Sequence, residues 1–504
     1  MDEWLPEALY TAEQVRHLDA VAINDYHING FELMKRAGQA AFDRMLERWP
    51  ALSRGGTLQV FCGAGNNGGD GYVIASLARQ RYLPVRVVAL KNPDELNGDA
   101  LRAWHWFRDL GGSTESWSRH VTITGTVLVD AMLGTGLSGD VKGDYRDAIQ
   151  MINHSQRPVL AVDIPSGLSA DTGAALGAAV QAAMTVTFIG LKQGLLTGAG
   201  PRYCGTLNFA ALAVPDEIYR QESPASHLLR EQELAALVRP RLADANKGTH
   251  GHLLVVGGDE GMGGAVVMAA EAALRTGAGL VTVATREEHV DAINARCPEI
   301  MARGVQYADD LSRLLTGKSA VVIGPGLGQS DWSKALLASI LRSDLPVLAD
   351  ADALNLMAEE GQLPDSASRL LLMTPHPGEA SRLLQEPIPD IQANRFAAVQ
   401  QLQQQYGGVA VLKGAGSLVY DGETVSLCGA GNPGMAVAGM GDVLSGIIGS
   451  LLAQGYDMAQ AAKLGVWLHA AAGDDCAADD GQIGMKATDL LPYIRRRVNQ
   501  LANA

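Results

Sequence analysis

Apolar and polar positions fall into blocks along this chain. Between Thr11 and about Arg48, Val15, Leu18, Val21 and Ala22, then Leu33, Met34, Ala37, Ala41 and Met45, recur at helical spacing, with a break near Asn29-Gly30. That spacing predicts two helices. Continuous apolar runs at 58–62, 85–90, 126–130 and 158–163 predict buried strands, and the segments at 71–81, 97–110 and 144–153 between them have helical character. The alternation implies βαβ crossovers and a mainly parallel sheet.

The pattern pauses at 221–233, QESPASHLLREQE, a polar stretch with a proline. A domain boundary is expected there, giving domains 1–222 and 228–504. A second alternation follows. Strands are predicted at 252–257, 280–285, 319–324, 346–350, 370–374 and 408–412, helices at 264–276, 332–342, 378–384 and 391–405, and closing helices near 442–453, 458–478 and 487–501. No repeat of fixed period is visible, so the halves are expected to be two different α/β units.

Length and composition agree with this picture: 504 residues leave room for two large cores, and 58 glycines with few aromatics suit tight strand-to-helix turns. A formal charge of -15 disfavours nucleic acid and anionic membranes as partners. Five cysteines, at 62, 204, 297, 428 and 476, show no C-x-x-C spacing, which suggests neither a disulfide framework nor a zinc site. The N-terminal stretch is acidic and polar, lacking a signal-peptide pattern, and no apolar run reaches spanning length, so a soluble cytoplasmic protein is expected.

In open α/β sheets ligands collect beyond the carboxyl ends of strands, so polar residues directly after apolar runs carry the candidate chemistry. In the first half these are Asn66-Asn-Gly-Gly-Asp70, Asp130-Ala-Met-Leu-Gly-Thr-Gly-Leu-Ser-Gly139 and Asp163-Ile-Pro-Ser-Gly167. The glycines let backbone approach a ligand, and a following helix directs free N–H groups at an anion. Asn67, Asp130 and Ser166 are possible oxygen donors to a hard cation of low charge. Taken singly, Asp130 reads as a turn cap, Asn67 as a left-handed turn residue and Ser166 as a helix cap; their joint occurrence in one crevice favours a site.

"GAGNNGGDG", "VDAMLGTGLSG" and "AVDIPSG", with "LMKRAG" upstream, resemble the epimerases that interconvert the two hydrates of NAD(P)H, over about residues 11–215. The resemblance implies a Rossmann-like fold and dinucleotide-hydrate contacts from Asn66, Asn67, Gly68, Gly69 and Asp70, from Gly134, Thr135, Gly136, Leu137, Ser138, Gly139 and Asp140, and from Asp163. It also implies a potassium ion held by Asn67, Asp130 and Ser166. Inverting C6 of the hydrated ring needs proton movement, for which Asp163 is the expected acid/base.

In the second half, Gly429–Asp442 (GAGNPGMAVAGMGD) leads into an apolar helix. Backbone N–H groups at Gly439 and Gly441 can cradle a transferring phosphoryl group, and Asp442 can take a proton from an attacking hydroxyl or simply cap the helix. "GMGD" resembles the anion-hole motif of the ribokinase-like superfamily. "NKGTHGHLLVVGG", "AALRTGAGLV", "VIGPGLG", "VLADADALN", "TPHPGEASRLL" and "VLKGAGSLV", in that order, resemble the ADP-dependent NAD(P)H-hydrate dehydratases. This implies adenine-nucleotide contacts from Lys413, Gly414, Ala415, Gly416, Ser417 and Gly441, and hydrate contacts from Ala265, Gly326, Gly328, His376 and Asp442. By its residues alone, Lys413 can pair with phosphate or cap the sheet edge, and His250 and His252 read as structural.

Together the resemblances imply a bifunctional repair enzyme: an isomerase acting on NADHX and NADPHX, and a lyase that uses ADP and magnesium to restore NAD(P)H. They also suggest a homo-oligomer, tetrameric or larger. The competing expectation is an ATP-dependent small-alcohol or vitamin kinase with a dinucleotide-sensing N-terminal domain.

Overall fold

Runs of consecutive apolar residues become strands buried on both faces. Every residue of β1 (Leu58–Cys62), and of the strand Val127–Ala131, is buried. Such strands suit a parallel sheet covered by helices on each side. The computed structural model describes residues 5–361 and 370–503, and the chain divides into two compact units between Ser226 and His227.

In the first unit β1 is joined by β2 (Val85–Ala89), β3 (Thr114–Ser116), β4 (Val127–Ala131), β5 (Val159–Val162), β6 (Met184–Phe188) and β7 (Thr206–Ala210). Among the described residues the sheet runs β3-β2-β1-β4-β5-β6-β7, all parallel. The chain reverses its winding between β1 and β4, and at such a switch point the loops diverge and leave a crevice. Beside it a short strand, Leu191–Lys192, pairs in parallel with Ala8–Tyr10, setting Lys192 opposite Tyr10.

The two expected N-terminal helices are Ala12–Asn24, opened by a Thr11 capping box, and Gly30–Arg48, capped by Asn29. The helix expected at 71–81 spans Asn66–Gln80 instead. The asparagine stretch is therefore the first turn of a helix rather than a loop, and Asn67 does not have left-handed backbone. The early start depends on Gly68: a Cβ there would lie 2.1 Å from the Gly63 carbonyl oxygen, so only glycine lets the helix fold back onto the end of β1.

The second unit contains β8 (His252–Val256), β9 (Leu280–Thr285), β10 (Met301–Gly304), β11 (Ala320–Ile323), β12 (Val347–Ala349), β13 (Leu371–Met373), β14 (Val409–Leu412), β15 (Ser417–Tyr420) and β16 (Val425–Cys428). Their order is β10-β9-β8-β11-β12-β13-β14-β15-β16, parallel through β14 and antiparallel through the last two steps. The segment at 391–405 forms two helices, Ile388–Ala393 and Arg395–Tyr406, separated by Asn394, which caps the second. Helices Gly263–Thr276, Met440–Ala453 and Met458–Asp480 supply much of the core. No helix among the described residues is long and apolar enough to cross a membrane.

Candidate functional site

Asn67, Asp130 and Ser166 meet at the switch point of the first unit. The Ser166 hydroxyl donates to Asp130 Oδ1 (2.5 Å) and its N–H to Oδ2 (2.7 Å), while the Leu133 N–H donates to Ser166 Oγ (2.8 Å). Asn67 Nδ2 donates to the Leu133 carbonyl (3.0 Å), which turns its Oδ1 inward. That oxygen is buried and, among the described residues, accepts no hydrogen bond. A buried acceptor without a donor is costly, and a cation removes the penalty. Burial pushes the Asp130 carboxyl up to about 6 against the pull of its Ser166 and Met132 hydrogen bonds.

Asp163 ends β5 in an unusual backbone. Its φ is +67° and the Ile164 N–H donates to the Val162 carbonyl (2.8 Å), a three-residue turn of the rare left-handed kind. Ile189, at the end of β6, repeats it: φ is +60° and the Gly190 N–H donates to the Phe188 carbonyl (2.7 Å). Positive φ at a β-branched residue is a genuine outlier. Between the two turns lies Lys192, 1% exposed. Its ammonium is paired with Asp163 and donates to Thr187 Oγ1 (3.0 Å) and the Phe188 carbonyl (3.1 Å), which uses all three of its protons.

Asn67, Asp163, Ile189 and Lys192 line a cavity of about 690 Å³, whereas Asp130 and Ser166 are buried and do not reach its wall. Of the expected contacts, Asn66, Asn67, Asp70, Gly134, Thr135, Gly136, Leu137, Ser138 and Asp163 line it. Gly68, Gly69, Gly139 and Asp140 do not: Gly68 packs on Gly63 and Gly69 on Met34 and Ala100, so both serve the helix rather than the cavity wall. Asp19 and Lys192 line it as well, and neither was singled out from sequence. Both carried a signal, Asp19 as a charge on the apolar face shared by Val15, Leu18 and Ala22, and Lys192 as a cation inside the run FIGLKQGLL. Burial, opposed by Lys192 and reinforced by Asp163, pushes the Asp19 carboxyl up to about 6. Asp70 is raised well above the carboxylate range by burial, then by Asp163 and Asp19.

In the second unit the carboxyl ends of the parallel strands converge on Lys413, which directly follows β14. Its ammonium lies 2.7 Å from Asp350, which follows β12, and 3.8 Å from Glu379. Asp350 also accepts from the Ser445 hydroxyl (2.7 Å). Lys413 is thus the counter-ion of two buried carboxylates. Gly441 sits over this pair, where an added Cβ would lie 3.3 Å from Lys413 Nζ and 3.5 Å from Asp350 Oδ2. Asp442 stands in the first turn of helix Met440–Ala453, entered through Gly439 at φ +90°. Its carboxyl is pushed up to about 7, first by burial and then by Asp350, with Lys413 opposing. Burial brings Glu379 to about 7 too.

The other expected contacts surround this centre. Gly326 and Ala265 touch across the β8–β11 switch point, with a Gly326 Cβ placed 3.1 Å from that of Ala265. The Gly328 N–H donates to Asp352 (2.9 Å). His376 caps helix Pro377–Leu384: its Nδ1 accepts from the Gly378 N–H (2.9 Å), which leaves Nε2 as the donor face of a neutral ring. The loop Lys413–Ser417 is closed by the Ser417 hydroxyl on the Gly414 carbonyl (3.0 Å) and is braced by buried Arg395, which donates to the Leu412 (3.1 Å) and Lys413 (3.2 Å) carbonyls. Asp350 and Glu379 lie inside the motifs VLADADALN and TPHPGEASRLL and Arg395 in the helix expected at 391–405, but nothing in one sequence shows which polar residue turns inward. A cavity of about 1330 Å³ in this unit touches His250, Gly277 and Glu299 at the amino ends of the strands, away from all of these carboxylates.

Comparison with known proteins follows the same division. A family model described as YjeF-related protein N-terminus matches residues 30–194, and one described as NAD(P)H-hydrate dehydratase matches residues 253–496. The bifunctional NAD(P)H-hydrate repair enzyme of Coxiella burnetii is 47% identical over 97% of this chain and 99% of its own length. Its namesake from Escherichia coli is 41% identical over 98% of this chain and 95% of its own. Among solved structures, the ADP/ATP-dependent NAD(P)H-hydrate dehydratase of Bacillus subtilis, co-crystallised with ATP and Mg2+, aligns with a TM-score of 0.51 at 28% identity, covering 54% of this chain and 98% of that one. A ribokinase-like superfamily protein from Enterococcus faecalis aligns with a TM-score of 0.52 at 28% identity, covering 55% and 96%. With near-complete overlap at such identity, this chain belongs to the family of bifunctional NAD(P)H-hydrate repair enzymes.

Proposed function

We propose that the protein repairs hydrated nicotinamide dinucleotides in two steps, epimerising R and S hydrates in the first unit and dehydrating the S hydrate at the expense of ADP in the second. The observation that carries this reading is the near-complete match to bifunctional relatives, combined with a poised carboxyl at each strand-end crevice.

In the second unit Asp442 takes the proton of the C6 hydroxyl as that oxygen attacks the β-phosphoryl group of ADP, and AMP leaves. A base held near neutrality suits this step. The ester oxygen then departs as phosphate, pushed out by the ring nitrogen, and loss of a C5 proton restores the nicotinamide double bond. The helix N-terminus and the bare Gly441 backbone receive phosphoryl oxygens. Lys413, neutralised on both sides, holds Asp350 and Glu379 in place beneath them. Magnesium fits here as an ion that arrives on the nucleotide, because it takes phosphate oxygens and water more readily than an all-protein cage.

In the first unit the donor set fits potassium. Asn67 Oδ1 is an orphaned buried acceptor, Asp130 supplies one carboxylate and Ser166 a hydroxyl, all oxygens with a single formal charge. The ion would anchor the Leu133–Ser138 loop against the first turn of helix Asn66–Gln80. Asp163 presents its second oxygen to the hydrate and serves as base for the C6 hydroxyl.

The test is to incubate acid-treated NADH, which contains both hydrates, with the protein, ADP, magnesium and potassium, and to follow nicotinamide absorbance. Full recovery is expected. Recovery that stops at the S fraction would remove the epimerase, and phosphorylation of a stable alcohol from ATP with no recovery would select a kinase.

A further inference from the structure

Three carboxyl groups of the first unit, Asp19, Asp70 and Asp163, share one cation, Lys192, inside the same cavity. They are not equivalent. Asp163 Oδ1 is held by Lys192, by Thr187 Oγ1 (3.2 Å) and by the Phe188 N–H (3.2 Å). Asp70, 9% exposed, projects from the first turns of helix Asn66–Gln80, lines the cavity and has no side-chain hydrogen bond within the described residues. Lys192 has no proton left to offer it. A buried carboxyl beside two others, with the nearby Lys192 ammonium already committed, keeps its proton. Burial and the neighbouring Asp163 and Asp19 charges act in that direction, and only Lys192 opposes them. The remaining titratable groups on the cavity wall are Arg16, Asp99 and Tyr145.

A carboxylate paired with a buried ammonium and, beside it, a buried carboxyl kept neutral form an acid/base couple. We propose that Asp70 is the general acid of the epimerase, working opposite Asp163 across the hydrated ring. This rests on the epimerase reading and supplies the half of the proton traffic that reading lacks. Asp163 removes the C6 hydroxyl proton, the C6–O bond becomes a carbonyl, and the C6–N1 bond breaks. The electron pair passes to N1, which takes the Asp70 proton. The open aldehyde turns about C5–C6. Reclosure runs the steps backwards, with N1 returning its proton to Asp70 and Asp163 returning one to the new hydroxyl. No atom or electron is gained or lost. Asp19, on helix Ala12–Asn24, tunes Asp70 by its charge and is a positioning residue.

The experiment compares Asp70→Asn, Asp19→Asn and the unaltered protein, following R–S interconversion by chromatography across pH, hydrate binding by calorimetry, and ADP-dependent loss of S hydrate as an internal control. Asp70→Asn is expected to slow interconversion about 100-fold or more, with binding affinity and dehydration within about threefold of the unaltered protein and with the alkaline fall in rate abolished. Asp19→Asn removes a like charge, so its alkaline fall should move to lower pH without lowering the maximum. That shift is a readout a merely structural role would not produce. If Asp70→Asn keeps its rate within twofold, retains the alkaline fall, or loses binding in proportion to turnover, the assignment is overturned. An alkaline fall in Asp19→Asn that does not move counts against it equally, even where Asp70→Asn fails to fold. Absence of interconversion in the unaltered protein would remove the epimerase reading itself.

Discussion

Each unit sets a lysine among carboxylates near the carboxyl ends of parallel strands, yet the two crevices suit different chemistry. Lys192 gives all its protons to groups at the ends of β5 and β6, and what lies across from it is an orphaned amide oxygen and a protonated-leaning carboxyl. Lys413 is clasped by Asp350 and Glu379, and above it are a bare glycine and the start of a helix. In both cases the cation is already paired with carboxylates. The lysine fixes the charge state of its neighbours, and the opposing wall decides whether the site moves protons or receives a phosphoryl group.

The sharpest way to break that comparison is Asp442→Ala. It should reduce ADP-dependent dehydration by a factor of about 100–10,000 while leaving R–S interconversion unchanged, measured on the same purified chain. If both activities fall together, the crevices are not separate working sites.

Asn67→Ala tests the other wall. It should weaken potassium dependence and slow epimerisation roughly 10-fold or more, with dehydration of S hydrate nearly untouched; a potassium titration of the interconversion rate reads it directly.

The two units should also answer pH in opposite directions. Asp442, raised to about 7, must lose its proton to act, so dehydration should fall as pH drops below about 7 and level off above it. Asp70, raised by burial and by like charges, must keep its proton, so epimerisation should fall on the alkaline side. Initial rates for both reactions in one buffer series would show it, and parallel profiles would contradict the contrast between the walls. The smallest effect is expected for Gly441→Ala, where a methyl 3.3 Å from Lys413 Nζ should raise the KM for ADP a few-fold with little change in kcat.

Much of the sheet was legible because buried parallel strands are written as unbroken apolar runs. The exceptions are instructive. Met184–Phe188 reads MTVTF, and its threonines hide a strand that is wholly buried; Thr185 satisfies its hydroxyl on the Cys204 carbonyl and Thr187 meets Lys192 and Asp163. The hairpin of Ser417–Tyr420 and Val425–Cys428 is too short to stand out, although Asp421-Gly422 marks its turn. Of the candidate site, the strand-end residues can be named from sequence because topology alone delivers them to the carboxyl end of the sheet. Lys192, Asp19, Asp350 and Glu379 were passed over because a charge within an apolar stretch declares itself buried without saying what it meets. Pairing between residues 163 and 192, or 350 and 413, is a property of the folded sheet.

The left-handed turns at Asp163 and Ile189 bear on how far this unit can be stabilised. A non-glycine residue held in such a conformation costs about 1–3 kcal/mol, and here two of them flank the Lys192–Asp163 pair that shapes the cavity. Residues better suited to left-handed backbone would relieve part of that cost, and Asn or Gly at position 163 would do so only by discarding the carboxylate. Selection of this protein for heat resistance alone should therefore be drawn toward the ends of β5 and β6, and thermostable variants changed there should be screened first for lost epimerisation.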